Sequence, residues 1–200
     1  MPTYTLDDGT AENAIGLTNG GTVAALNQFE VENDNDVIES IEVTWGNADI
    51  PGSAGVFDGT PFDVFVWEGT PLSPGALIGS ASSIVDGSVD NDVFQEVDIS
   101  AAISGGNGAD FFIGAVVEHG AGTFPLSIDE GNPMGSSFVA ANIPGNPFDP
   151  ENLGGLDLAP AELGGLGFPG NFMVRANAIP APGSVALFGL AGLAGVRRRR

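Results

Sequence analysis

Cysteine and lysine are both missing from this 200-residue chain, and histidine and tyrosine occur once each, as His119 and Tyr4. Without cysteine there is no disulfide scaffold, no thiol nucleophile and no thiolate metal site. A single histidine beside no cysteine also leaves zinc short of its usual ligands. Positive charge is nearly absent: 26 acidic residues face five basic ones, and four of those five, Arg197, Arg198, Arg199 and Arg200, close the chain. The fifth is Arg175. So acidic a body repels a phosphate backbone, so nucleic acid is excluded as a partner. Long helical patterns are lacking too.

What is present is apolar and turn-rich. Hydrophobic residues make up 42% of the chain, with 31 glycines and 14 prolines. That composition supports one folded core cut into short strands, and it is inconsistent with an acidic disordered chain. The period along the body is two. Val37, Ile41, Val43 and Trp45 alternate with more polar neighbours, as a half-buried strand does. Phe62–Trp67 is apolar on both faces apart from Asp63, and Phe111–Val117 is similar. Val93–Ile99 alternates, and shorter strands are expected at 23–31, 76–85, 124–128, 136–141 and 172–176. Gly/Asn/Asp/Pro clusters separate them. About nine strands and no body helix beyond one turn near Ile99–Ser104 predict an all-β, antiparallel two-sheet sandwich of jelly-roll type. Residues 142–170, proline- and glycine-rich with Leu-Gly-Gly-Leu at 153–156 and again at 163–166, read as an irregular excursion.

The C-terminus has a separate character. Pro180-Ala181-Pro182-Gly183 leads into thirteen uncharged residues, Ser184–Val196, and then Arg197–Arg200. This proline motif, short small-residue apolar helix and terminal arginine cluster resemble a PEP-CTERM sorting signal. Ala181 takes the place of the glutamate in the name-giving motif. The resemblance implies export, processing by an exosortase-type enzyme, and retention at the cell envelope or in extracellular matrix. It implies as partners that enzyme, the membrane through the C-terminal helix, and exopolysaccharide. The division expected is a sandwich over 1–177, a linker with the sorting motif over 178–183, and an anchor over 184–200. The first residues show neither a basic nor an apolar leader region, so an export leader is expected upstream of Met1.

The body carries a second likeness, to uncharacterised β-sandwich modules of large secreted bacterial proteins. It rests on Tyr4–Asn13, Asn27-Gln28-Phe29, Phe62–Trp67 followed by Pro74-Gly75, and Gly170–Ala176. Such modules sit beside proteases or adhesins and have no assigned reaction, which implies an accessory or structural body.

Chemistry-bearing motifs are few. No Gly-x-Ser-x-Gly elbow surrounds any serine, and His119 at a strand end reads as a solvated imidazole, so no catalytic residue is assigned. Calcium is the ligand the residue types favour, because it takes six to eight oxygens. The candidate ligands are Asp34 and Asp36 in the 32–36 loop, and Asp86, Asp90 and Asp92 in the 86–92 loop, with Asp7–Glu12 as a third acidic segment. The alternative reading of these segments is turn formation. A carbohydrate-binding or calcium-dependent adhesion module is the alternative function. The aromatic platforms it would need, Trp45, Trp67 and Tyr4, lie on apolar patterns and read as core.

Overall fold

The computed structural model describes residues 3–181. Among them are twelve strands: β1 (Asn13–Ile15), β2 (Gly21–Glu30), β3 (Val37–Val43), β4 (Pro61–Thr70), β5 (Ser73–Ile84), β6 (Gln95–Ala102), β7 (Asp110–His119), β8 (Leu126–Asp129), β9 (Ser137–Asn142), β10 (Leu158–Glu162), β11 (Asn171–Phe172) and β12 (Val174–Ile179). They form three sheets whose ladders are all antiparallel, in the orders β10-β9-β2-β7-β4-β5, β12-β3-β6 and β1-β8-β11. The all-β, antiparallel expectation therefore holds, with three sheets among the described residues where two were expected, the short β1-β8-β11 sheet being the addition.

Alternation decides which side chains meet. Phe62, Val64 and Val66 of β4 and Phe111, Ile113, Ala115 and Val117 of β7 point to one face of the six-stranded sheet. There they share a core with Ile38, Ile41 and Val43 of β3 and Val97, Ile99 and Ala101 of β6. The opposite face of the same sheet is also apolar. Phe65 and Trp67 of β4, Phe112 and Val116 of β7, and Leu26 of β2 form a second cluster with Leu153 and Leu156. The sheet is thus buried on both sides, which is why β4 and β7 read as apolar on both faces.

The second cluster corrects the reading of residues 142–170. That segment folds over the outer face, contributes edge strand β10 through pairing with β9, and makes 3₁₀ turns at Leu153–Gly155 and Gly164–Leu166. The Leu-Gly-Gly-Leu echo coincides with these two turns. Ile99–Ser104 is no helical turn, since β6 runs through Ala102. The expected strand at 172–176 is two strands: β11 pairs with β8 and β12 with β3, parting at Met173. Tyr4, Trp45 and Trp67 are buried, as core residues should be. The Tyr4 hydroxyl donates to Asn35 O at 2.8 Å and accepts from Glu32 N–H at 3.1 Å, tying down the loop between β2 and β3.

No helix among the described residues is long and apolar enough to cross a membrane. The expected helix over 184–200 lies outside the described residues, as do Pro182, Gly183 and Arg197–Arg200. Pro180 and Ala181 follow directly on β12, and Ala181 N–H donates to Asp36 Oδ1 at 2.8 Å.

Candidate functional site

The aspartates singled out as calcium ligands are spread over separate structural tasks. Asp34 accepts from Asn107 Nδ2 at 2.8 Å, and its own N–H donates to Asn107 Oδ1 at 2.7 Å. Asp36 holds Ala181 N–H. Asp90 accepts from the backbone of Asn47 (3.1 Å) and Gly52 (2.6 Å), which fastens the 46–52 loop. Gly46 is required there: at φ 80° it lies so close that an added Cβ would sit 1.9 Å from Asp90 Oδ1. Asp92 accepts from Ala11 N–H at 3.3 Å. Burial pushes its pKa up against that hydrogen bond, and the charges of Asp49 and Glu12 add to the rise. Asp86 donates its N–H to Gln95 Oε1 at 2.9 Å. Asp34, Asp90 and Asp92 all have left-handed φ, between 50° and 59°, which Asp tolerates better than most residues. In these loops the turn reading accounts for the contacts.

Carboxylates do converge elsewhere. Asp8, Glu12 and Asp129 bring one oxygen each within 4.8 Å of one another, a group with the chemistry to hold a metal ion. Two of them come from the acidic N-terminal segment. Asp129 ends β8, and the pairing of β1 with β8, Asn13 opposite Ile128, carries Glu12 to its side. Asp129 is 1% exposed and accepts from Asp8 N–H (2.7 Å) and Gly131 N–H (2.6 Å). Its pKa is raised by burial first, with the charges of Asp8 and Glu12 adding to the rise and the two N–H donors opposing it. Asp8 and Glu12 are exposed, and the Thr10 hydroxyl lies between them, 2.7 Å from Asp8 Oδ1 and 3.0 Å from Glu12 Oε1, with one proton to donate. The three converging ligand atoms are all carboxylate oxygens, which suits a hard cation such as Ca²⁺.

His119 is not solvated. It is 6% exposed, and Nε2 accepts from Leu17 N–H at 3.1 Å. Thr123 Oγ1 lies 2.9 Å from Nδ1 and spends its own proton on Gly120 O, so Nδ1 carries the hydrogen. Both ring nitrogens are committed within the loops, Nε2 to the Leu17 backbone and Nδ1 to the Thr123 hydroxyl, and burial lowers the pKa. The neutral ring therefore favours the fold above the ordinary histidine pKa, and this contribution is lost as pH falls through the depressed value. Between pH 7 and 5 the wild-type protein should lose up to about 1.4 kcal/mol per pH unit more than His119→Gln does. Urea midpoints of both proteins at several pH values check this, and equal slopes would refute it.

No protein-family model matches the chain, and no curated protein matches it in sequence. Among solved structures, a chain containing the cysteine protease and lectin-like domains of Cwp84, a surface layer associated protein of Clostridium difficile, is similar with a TM-score of 0.42 at 12% identity. The match covers 78% of this chain and 32% of that one, so the present chain spans about a third of its length.

Proposed function

We propose that this chain is a displayed, non-catalytic β-sandwich of jelly-roll type, carried outside the cell and retained there by its C-terminal segment, with an exosortase-type system as the sorting machinery. The observation that carries the reading is where the folded ladder stops. The β12–β3 pairing ends at Ile179, opposite Val37, and the proline motif starts at the next residue. The core residues described lie between Tyr4 and Ala178, ahead of the proline motif in sequence. An export-dependent reporter inserted ahead of Pro180, with the gene at its own locus, is expected to be active. Activity from a cytoplasm-dependent reporter alone would refute display.

Asp8, Glu12 and Asp129 favour a second reading, in which the module is calcium-stabilised. A cation there would offset the convergence of three acids, and its effect would grow as pH rises through the elevated Asp129 pKa, where the site sheds its proton. At a hundredfold excess over Kd it would add about 2.7 kcal/mol. Thermal melts at matched ionic strength in sodium and calcium chloride, with and without chelator, test this. Sodium alone should raise Tm by screening the acidic surface, and identical curves in both salts would eliminate the calcium site.

A further inference from the structure

We propose that the outer face of the six-stranded sheet carries a binding trough for a neutral, hydroxyl-rich oligosaccharide, running across Glu118 between Phe148 and Phe57. The excursion over 142–170 covers the middle of this face and leaves one end open. Register places the residues there. Thr22 of β2 stands opposite Glu118 of β7, and Val116 of β7 stands opposite Asp63 of β4. Asp63 in turn faces Ser82 of β5. Thr22, Asp63, Val116 and Glu118, with Phe65 and with Asn146 and Phe148 as a wall, line a hollow of about 500 Å³. A second hollow of about 590 Å³ shares Pro61 and Glu118 with it and reaches Phe57, which is 71% exposed. Each volume alone falls within the range of small-ligand sites.

The wall is held in place before any ligand arrives. Asn142 Nδ2 donates to Pro147 O at 2.6 Å, and Asn146 N–H to Ile143 O at 3.2 Å. Asp157 Oδ2 accepts from Ile143 N–H at 3.0 Å and from Asn146 Nδ2 at 2.9 Å. Phe148 stacks on Phe65 with ring centroids 6.3 Å apart. A fixed wall lowers the ordering cost of binding.

Chemistry selects the occupant. Both ionisable groups in the first hollow are acids, and the one arginine of the body is engaged with Asp7 on the opposite sheet. An anionic glycan would be repelled, and a ligand must bring hydrogen-bond donors to Asp63 and Glu118. Asp63 already accepts a hydroxyl, from Ser82 at 2.5 Å, which is the contact a sugar hydroxyl would make. The remaining lining on this face is largely apolar: Phe65, Val116 and Phe148. A fully charged ammonium would lose hydration against it, whereas a sugar ring presents apolar C–H faces together with its hydroxyls. Two adjoining hollows that share Pro61 and Glu118 favour a chain of sugars over a monosaccharide. The buried tryptophans play no part, so this differs from a flat tryptophan platform.

The proposal goes beyond surface display and does not depend on it, because binding is measured on purified full-length protein. The probe is an array of neutral, amino-sugar and uronate oligosaccharides, followed by calorimetry with the best neutral member. Neutral oligosaccharides should bind with an affinity that sodium chloride leaves unchanged, and Glu118→Ala and Phe148→Ala should each weaken it by about tenfold or more. Phe57→Ala should weaken longer chains more than short ones. If Phe148→Ala loosens the fold, Glu118→Ala, on an exposed rim residue, carries the test. Three results would overturn the proposal: no neutral oligosaccharide bound, binding indifferent to all three substitutions, or binding confined to amino sugars with affinity falling as salt rises. Failure here leaves the display reading standing, since that is decided by the export reporter.

Discussion

Replacing Arg175 by methionine is expected to cost this protein about 3–5 kcal/mol, a large share of the roughly 5–15 kcal/mol that holds a domain folded. Arg175 is the one positive side chain before the terminal arginines. Its guanidinium grips Asp7 through Nη2 and through Nε, the latter 3.0 and 3.1 Å from the two carboxylate oxygens. It also lies 3.8 Å from the centre of the Phe94 ring. The Asp7 side chain is 0% exposed, so removing arginine leaves a carboxylate buried without a counter-charge. The strap that would loosen is the N-terminal segment, which is otherwise held by the Tyr4–Ala176 bridge and by hydrogen bonds from Thr3 to Ala178 O, from Asn171 Nδ2 to Leu6 O and from Asp8 N–H to Asp129. Changing both partners, Arg175→Met with Asp7→Leu, should recover most of the loss, because an apolar pair of similar volume avoids the desolvation cost. Urea unfolding of the two single variants and the double variant measures this. A single-variant loss below about 1 kcal/mol would place the pair among ordinary surface ion pairs and refute the argument.

The strands that could be read from the sequence are those whose side chains obey one period over five or more residues. β3, β4, β6 and β7 were legible because alternation, or continuous apolar character, is enforced by burial on one or both faces. Strand β1 was not, since three residues carry no period. Nor was β10, whose Pro160 argues against a strand and is tolerated because β10 lies at a sheet edge. The double-sided apolar character of β4 and β7 announced two covers, but not their identity. One cover is a sheet and the other is the excursion, and Leu153 and Leu156 lie too far along the chain for local pattern to join them to Trp67.

The candidate sites follow a similar rule. Acidic residues are so common here that loop composition marked Asp34, Asp36, Asp86, Asp90 and Asp92, which serve turns and loop fastenings. The one convergence of three carboxylates among the described residues joins Glu12 to Asp129 through the β1–β8 register. That is long-range information, and only the Asp8–Glu12 half was visible as an acidic segment. His119 was misplaced for a related reason. Its burial depends on Leu17 and Thr123, from two loops that local pattern cannot bring together.

Trp67→Ala should cost about 3–5 kcal/mol, and Trp67→Phe should separate the two jobs that this side chain does. The indole is 1% exposed and stacks on Phe112 with centroids 4.7 Å apart and planes 11° from parallel. Gly114 makes room for it: a Cβ there would stand 3.0 Å from the indole and 2.6 Å from Leu26. The ring edge does something further, because Nε1 donates to Pro150 O at 2.7 Å and so fastens the excursion to the sheet. Phenylalanine keeps an aromatic ring on Phe112 but loses that bond, leaving a carbonyl without its partner, at a cost of about 1–3 kcal/mol. The loss should be felt locally. Under native conditions Trp67→Phe should be cut within 143–157 faster than wild type, while its sheet amides keep their exchange protection relative to global stability. Limited proteolysis with mass mapping, read beside hydrogen exchange, makes the comparison. If the variant loses stability while the excursion is cut no faster, Trp67 is a core residue alone and the excursion is held by Leu153 and Leu156.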